Sequence, residues 1–196
     1  ALTDEGIDRL LKALRHEVGF VGETARRLKL ENAKSAAFAF KTLHTAHGGK
    51  LTLARVLTGE IGDGTILHGA NGSDERVSGV FAMKGEDAVK RGPAKAGDTV
   101  ALGRLEHIRT GETLTAEKGG IVQVPLPEAV EPVFGTALTL KDRKDEVKLS
   151  AALTKLVEED PSLTVQHDQA THQVVLLGQG EMHLRVAVER LQRKNA

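Results

Sequence analysis

Three groups of residues in this 196-residue chain have side chains that could do chemistry. They are the run Gly48-Gly49-Lys50, the eight histidines, and the acidic run Glu158-Glu159-Asp160. A phosphate loop needs Gly-x4-Gly-Lys-Ser/Thr, so that backbone amides cradle the phosphates and the hydroxyl holds magnesium. Here His44 and Leu51 occupy the two test positions, and Gly48-Gly49-Lys50 reads instead as a turn between strands. No other nucleotide signature is present, so no cofactor site and no catalytic residue is expected. His44 and His47 stand three apart, and His167, His172 and His183 gather near one hairpin and helix. A structural zinc site wants four ligands, yet the chain has no cysteine and His44 and His47 fall in an expected loop with no third ligand nearby. The histidines therefore do not read as metal ligands, and for His183 packing or interdomain contact is the expected role. Consecutive acids point in different directions around a helix, which argues against an acid/base pair. Just before Pro161 they read as the charged end of a helix.

Charge limits what the chain can bind. Residues 33 to 118 hold twelve Lys/Arg against ten Asp/Glu, residues 133 to 196 hold nine of each, and the formal net charge of the chain is zero. A stand-alone nucleic-acid binder usually carries a basic excess. Five Phe with no Trp or Tyr also leave few platforms for base stacking. Any RNA contact must be local. The candidates are Lys84, Lys90, Arg91 and Lys95, in and after one expected strand, and Arg55, Arg104 and Arg109 near other strand ends. Each is read either as a solvated surface charge or as a phosphate contact.

The elements that position these groups follow from periodicity. Ile7, Leu10, Leu11 and Leu14 lie at helical spacing, so residues 4 to 17 are expected to form one amphipathic helix. From Ser35 to about Leu114, short strands alternate with turns at Gly48-Gly49, Gly62-Asp63-Gly64, Asn71-Gly72 and Gly97-Asp98, a pattern that favours a closed β-barrel. Pro132 to Leu140 reads as a strand. Leu149, Ala152, Leu153 and Leu156 then form the apolar stripe of a helix, with Lys148, Lys155 and Glu159 facing elsewhere. Asp142 or Asp145 can cap its start, and Pro161 ends it. A strand from Leu163, a turn at Gln169 to Thr171, and a second strand over Val174 to Leu177 follow. Gly178 and Gly180 allow a tight turn into a helix striped by Leu184, Val188 and Leu191, with Glu181 at the positive end of its dipole. The order β-α-β-β-α is the ferredoxin-like split βαβ pattern lacking its last strand, and the missing strand would lie beyond Ala196. The expected class is thus mixed β and α+β, a Greek-key-like barrel followed by a ferredoxin-like domain. With 40% hydrophobic residues the chain can hold one large or two small cores, and no apolar run approaches the roughly 20 residues of a membrane helix. A soluble, cytoplasmic protein is expected, the lack of cysteine being compatible with that compartment.

Specific phrases carry a family resemblance. EEDPSLTV and Gly178-x-Gly180-Glu181-Met182-His183-Leu184, in this order, resemble the third domain of elongation factor G, a ribosomal translocation GTPase. Phe40-Lys41, Gly49-Lys50-Leu51-Thr52, Arg55-Val56, Ala96-Gly97-Asp98 and Thr110-Gly111-Glu112-Thr113-Leu114 resemble landmarks of the β-barrel second domain of translational GTPases. DEGIDRLLKAL is similar to the helix that ends their GTP-binding domain. The resemblance implies four segments: 1–32 the end of the GTP-binding domain and a linker, 33–118 the barrel, 119–131 a linker, and 132–196 the third domain. It also implies a parent that binds GTP and magnesium elsewhere. The barrel would lie against small-subunit ribosomal RNA, and the third domain would lie among the GTPase domain, a small-subunit ribosomal protein and later domains of the same protein. In that setting Gly178, Gly180, Glu181, His183 and Arg185 become candidates for interdomain or ribosome contact.

Two departures from the family pattern stand out. Arg185 follows His183-Leu184 where an acid is usual, and Glu106-His107 replaces the usual Lys-acid pair before Thr110-Gly111. They suggest a paralogue, so that the resemblance implies either translocation or, in a paralogue, a role in recycling or stress. The other reading is a non-catalytic ribosome-binding or inhibitory module built from the same domains. A P-loop upstream of Ala1 would favour the GTPase.

Overall fold

The structure is a computed structural model that describes residues 5–45, 49–85, 87–119, 122–126, 130–139, 146–169, 171 and 173–195. The expected turn at Gly48, His47, the cap candidates Asp142 and Asp145, Leu140 and His172 lie outside the described residues. Two helices come first, α1 (Ile7–Glu17) and α2 (Val21–Arg27). The stripe of α1 is exposed, with Leu10 and Leu11 both above one half. Sequence periodicity does not reveal α2, because seven residues are too few to show a stripe. Its entry is fixed by Glu23, whose carboxylate accepts from Phe20 N at 3.2 Å. Ala25 beneath it is buried.

Ten strands build the first sheet system: β1 (Ala36–Thr45), β2 (Gly49–Thr58), β3 (Glu60–Ile61), β4 (Ile66–Gly69), β5 (Asp74–Arg76), β6 (Val80–Lys84), β7 (Asp87–Arg91), β8 (Ala94–Lys95), β9 (Thr99–Gly103) and β10 (Thr113–Thr115). Eight of them pair antiparallel in the order β5-β4-β10-β1-β2-β9-β6-β7, while β3 pairs with β8. The stretch Val77–Gly79 closes the curve. Val77 bonds back to Gly64 and Thr65 beside β4, and Ser78 N donates to Gly103 O of β9 at 3.0 Å. One chain segment therefore bridges both sides, and the sheet wraps around a core that includes Val56, Ile61, Leu67, Val80, Leu102 and Leu114. Gly59 makes the closest approach. At φ +64°, a Cβ there would stand 1.9 Å from Lys34 O, so no other residue fits. The segment 122–126 is tied to the barrel: Gln123 bonds Thr113 N and Gly111 O, and Val124 N donates to Thr113 Oγ1 at 2.8 Å.

The second unit has β11 (Phe134–Leu138), α3 (Glu146–Glu159), β12 (Thr164–Asp168), β13 (Gln173–Gly178) and α4 (Glu181–Asn195). The strand order is β11-β13-β12, with β13 antiparallel to both neighbours. A strand placed between two that precede it is the split βαβ arrangement. Leu153 and Leu156 of α3, Leu163 and Leu176 near and on the strands, and Leu184 and Leu191 of α4 form its own core. Gly178 permits the tight junction of β13 and α4, since a Cβ there would meet Leu184 Cδ2 at 2.6 Å. The architecture is mixed β and α+β. None of the helices among the described residues is long and apolar enough to cross a membrane.

Candidate interdomain clasp and basic surface

The end of α3 meets the barrel, and the charged helix end Glu158-Glu159-Asp160 finds partners there and within its own unit. Leu153 and Leu156 aim the apolar stripe into the second core, which turns the next face of the last turn toward β1 and β2. Glu158 Oε2 lies 2.6 Å from His44 Nε2, and Glu158 Oε1 accepts from Lys50 Nζ at 3.2 Å. Glu159 is buried. Its Oε1 accepts from His44 N at 2.8 Å, and its carbonyl accepts from Lys41 Nζ at 3.4 Å. His44 belongs to β1 rather than to the expected loop, and its ring is taken up by a carboxylate. Lys50 is the deepest charge in this cluster, with a side chain only 1% exposed. Its second acceptor is Glu106 O at 2.7 Å. A buried ammonium must find acceptors because its desolvation is costly, and here one comes from each domain.

Asp160 looks the other way. Its carboxylate accepts from Ser162 N and Oγ and lies 3.0 Å from His183 Nε2. Burial pushes this carboxyl upward, but the Ser162 and His183 hydrogen bonds together outweigh it and hold the group below its ordinary value. His183 Nδ1 accepts from Gln179 N at 3.1 Å. His183 therefore joins α4 to the end of α3 inside the second unit. Its neighbours in the signature phrase divide: Gly178 is required by packing, while Glu181 is exposed and Arg185 reaches Glu189 at 3.6 Å one turn on.

The loop after β9 continues the polar cluster into the barrel. His107 N and Nδ1 both meet Glu75 Oε1 at 2.6 Å, and Asn71 Nδ2 donates to His107 O and to Glu112 Oε1. Glu75 Oε2 and Glu112 Oε2 are buried with no partner among the described residues. Burial pushes the Glu112 carboxyl up, reinforced by Glu75 and opposed by Arg109 and Lys50.

The basic candidates do not all share one place. Lys84, Lys90 and Arg91 lie on the β6–β7 hairpin, and Lys95 lies on β8. Arg91 is committed, donating to Asp98 Oδ2 at 2.9 Å. The Lys95 amide, with the charges of Arg91 and Arg55, holds the Asp98 carboxyl below its ordinary value despite burial. Lys90 Nζ stands 3.8 Å from Asp63. Arg109 lines a different feature, a cleft of about 1090 Å³ between the barrel and α3 that also involves Thr42, Thr110 and Glu158. Arg104 lies at the end of β9, beside Arg76 in a smaller cleft. Sequence reading missed Lys41, His44, Lys50, Glu158 and Glu159 as contact residues. The available signal was the position of the acids on the face next to the apolar stripe.

Comparison with known proteins places both units. Residues 34–117 match the family model "Elongation factor G domain 2", and residues 129–196 match "Elongation Factor G, domain III". An elongation factor G-like protein of Synechocystis sp. is 41% identical over 194 residues, covering 97% of this chain and 28% of that relative. A crystal structure of a Thermus thermophilus protein superposes with a TM-score of 0.78 at 29% identity, covering 95% of this chain and 28% of the other. The chain thus spans just over a quarter of the length of either. With both units matched in order by their own models and a relative aligned across nearly every residue, the chain belongs to the elongation factor G family and carries that family's second and third domains.

Proposed function

We propose that this pair of domains is the central, ribosome-contacting part of an elongation factor G-like GTPase, and that it couples the nucleotide state of the GTPase domain to the ribosome. In this reading GTP and magnesium are held elsewhere in the parent protein, and these domains do no chemistry. The barrel meets small-subunit RNA through local basic groups. The third domain meets a small-subunit ribosomal protein and the neighbouring domains. The observation that carries the reading is the clasp between Glu158 and Glu159 of α3 and His44 and Lys50 of the barrel. Two domains locked by a buried charge move as one body, and a charge that needs acceptors from both makes their separation a discrete step, as a coupling element requires.

The step served is translocation or, in a paralogue, ribosome recycling or a stress role; Arg185 and Glu106-His107 are the residues that favour a paralogue. Small subunits titrated with the chain over a salt series test the ribosome reading. Replacing Lys84, Lys90 and Lys95 together by Gln is expected to weaken binding and to lower the salt slope by roughly one unit for each phosphate no longer neutralised. An unchanged slope would rule out this surface.

A further inference from the structure

Arg104 has φ +59°, a left-handed conformation that crowds any Cβ and is taken routinely by Gly. The turn after β9 imposes it: Arg104 N donates to Lys50 O at 3.2 Å while the next residue, Leu105, is fully buried. Glycine would fit this position without strain. Arginine stands there with its side chain exposed and, among the described residues, with no hydrogen bond or ion pair to its guanidinium. Internal packing therefore does not account for the residue.

Arg76 is in the same situation. It ends β5, is exposed and has no partner among the described residues. Its Nη2 lies 3.1 Å from where a Cβ of Gly64 would stand, so the glycine leaves room for the guanidinium. Both arginines line a cleft of about 470 Å³ with Asp63, Ser78 and Glu106. Asp63 is already engaged, accepting from Gly79 N at 3.1 Å and standing 3.8 Å from Lys90 Nζ. Ser78 is exposed and offers a hydroxyl. Two planar guanidinium forks and a hydroxyl around one cleft match the oxygens of a phosphate group.

We propose that Arg76 and Arg104, with the Ser78 hydroxyl, form a phosphate cleft that takes one backbone phosphate of small-subunit RNA. The proposal rests on the ribosome-contacting reading above and adds its specific receptor. Glu106 is the one acid of the cleft without a counter-charge among the described residues, and it weakens the site.

Binding of the chain to small ribosomal subunits over a salt series, with melting temperatures alongside, tests this. R104G gives the backbone the residue it prefers, so the melting temperature should hold or rise while affinity falls and the salt slope drops by about one unit. R76Q should act in the same direction, and E106Q should tighten binding. If the unaltered chain binds with a salt-dependent affinity that R104G and R76Q leave unchanged, the cleft is not a phosphate site and the proposal falls alone. If the unaltered chain shows no salt-dependent binding, the ribosome reading falls and takes the proposal with it.

Discussion

Lys50 Nζ, inside the barrel wall, donates to Glu158 Oε1 at the end of α3 across 3.2 Å, and the two side chains differ sharply in exposure, 1% against 33%. The pair is therefore asymmetric. Removing the lysine leaves a carboxylate that water can reach, whereas removing the glutamate strands a buried ammonium on Glu106 O alone.

Glu158→Ala is accordingly expected to destabilise the protein more than Lys50→Met. A hydrogen bond to a charged group is worth about 1.5 to 3 kcal/mol, and the Glu158 variant should lose an amount in that range. Denaturant melts of the two single variants and the double variant measure it. Equal losses, or a larger loss from Lys50→Met, would contradict the asymmetry.

Two of the perturbed carboxyls, Glu112 and Asp160, give opposite pH dependences. Glu112 is raised above its ordinary value of 4.5, so its protonated form favours the fold. That contribution is fully present below 4.5 and is lost as pH rises through the higher folded value. Asp160 is lowered below 3.8, so its contribution is present above 3.8 and is lost as pH falls through the lower folded value. Thermal melts from about pH 3 to 7 should show Glu112→Gln flattening the fall on the upper side of about 4.5, while Asp160→Asn flattens the acid limb. The reverse assignment would mean that burial of Glu112 is not what governs it.

Gly59→Ala should be poorly tolerated. A methyl there meets Lys34 O and the backbone is left-handed, and strain and overpacking cost about 1 to 3 kcal/mol each. Gly180→Ala, whose Cβ meets nothing within 4 Å, is the control and should cost much less. A comparison of their denaturation midpoints decides it.

Much of the fold can be read from the sequence, and the limits of that reading are physical. Leu149, Leu153 and Leu156 mark one face of α3 because burial against a core demands apolar groups. The neighbouring face docks on His44 and Lys50, and a polar face that meets polar partners looks the same in sequence as one that meets water. That is why the sequence marks Glu158 and Glu159 as a charged helix end and does not show what they meet. The strands are legible from Gly97-Asp98 and similar turns, since glycine announces a positive φ. Arg104 announces nothing, because its backbone conformation comes from the turn and not from its residue type. Closure at Val77–Gly79 is hidden for a related reason: the bonds that seal the barrel join segments far apart in the chain.

The acidic end of α3 fixes the third domain on the barrel. Residual dipolar couplings of backbone amides in the two units report their relative orientation directly. The unaltered chain should give one alignment tensor for both units, and Glu158→Gln with Glu159→Gln should give two while each core keeps its own couplings. Two tensors in the unaltered chain, or a single shared tensor surviving the double change, would contradict the clasp.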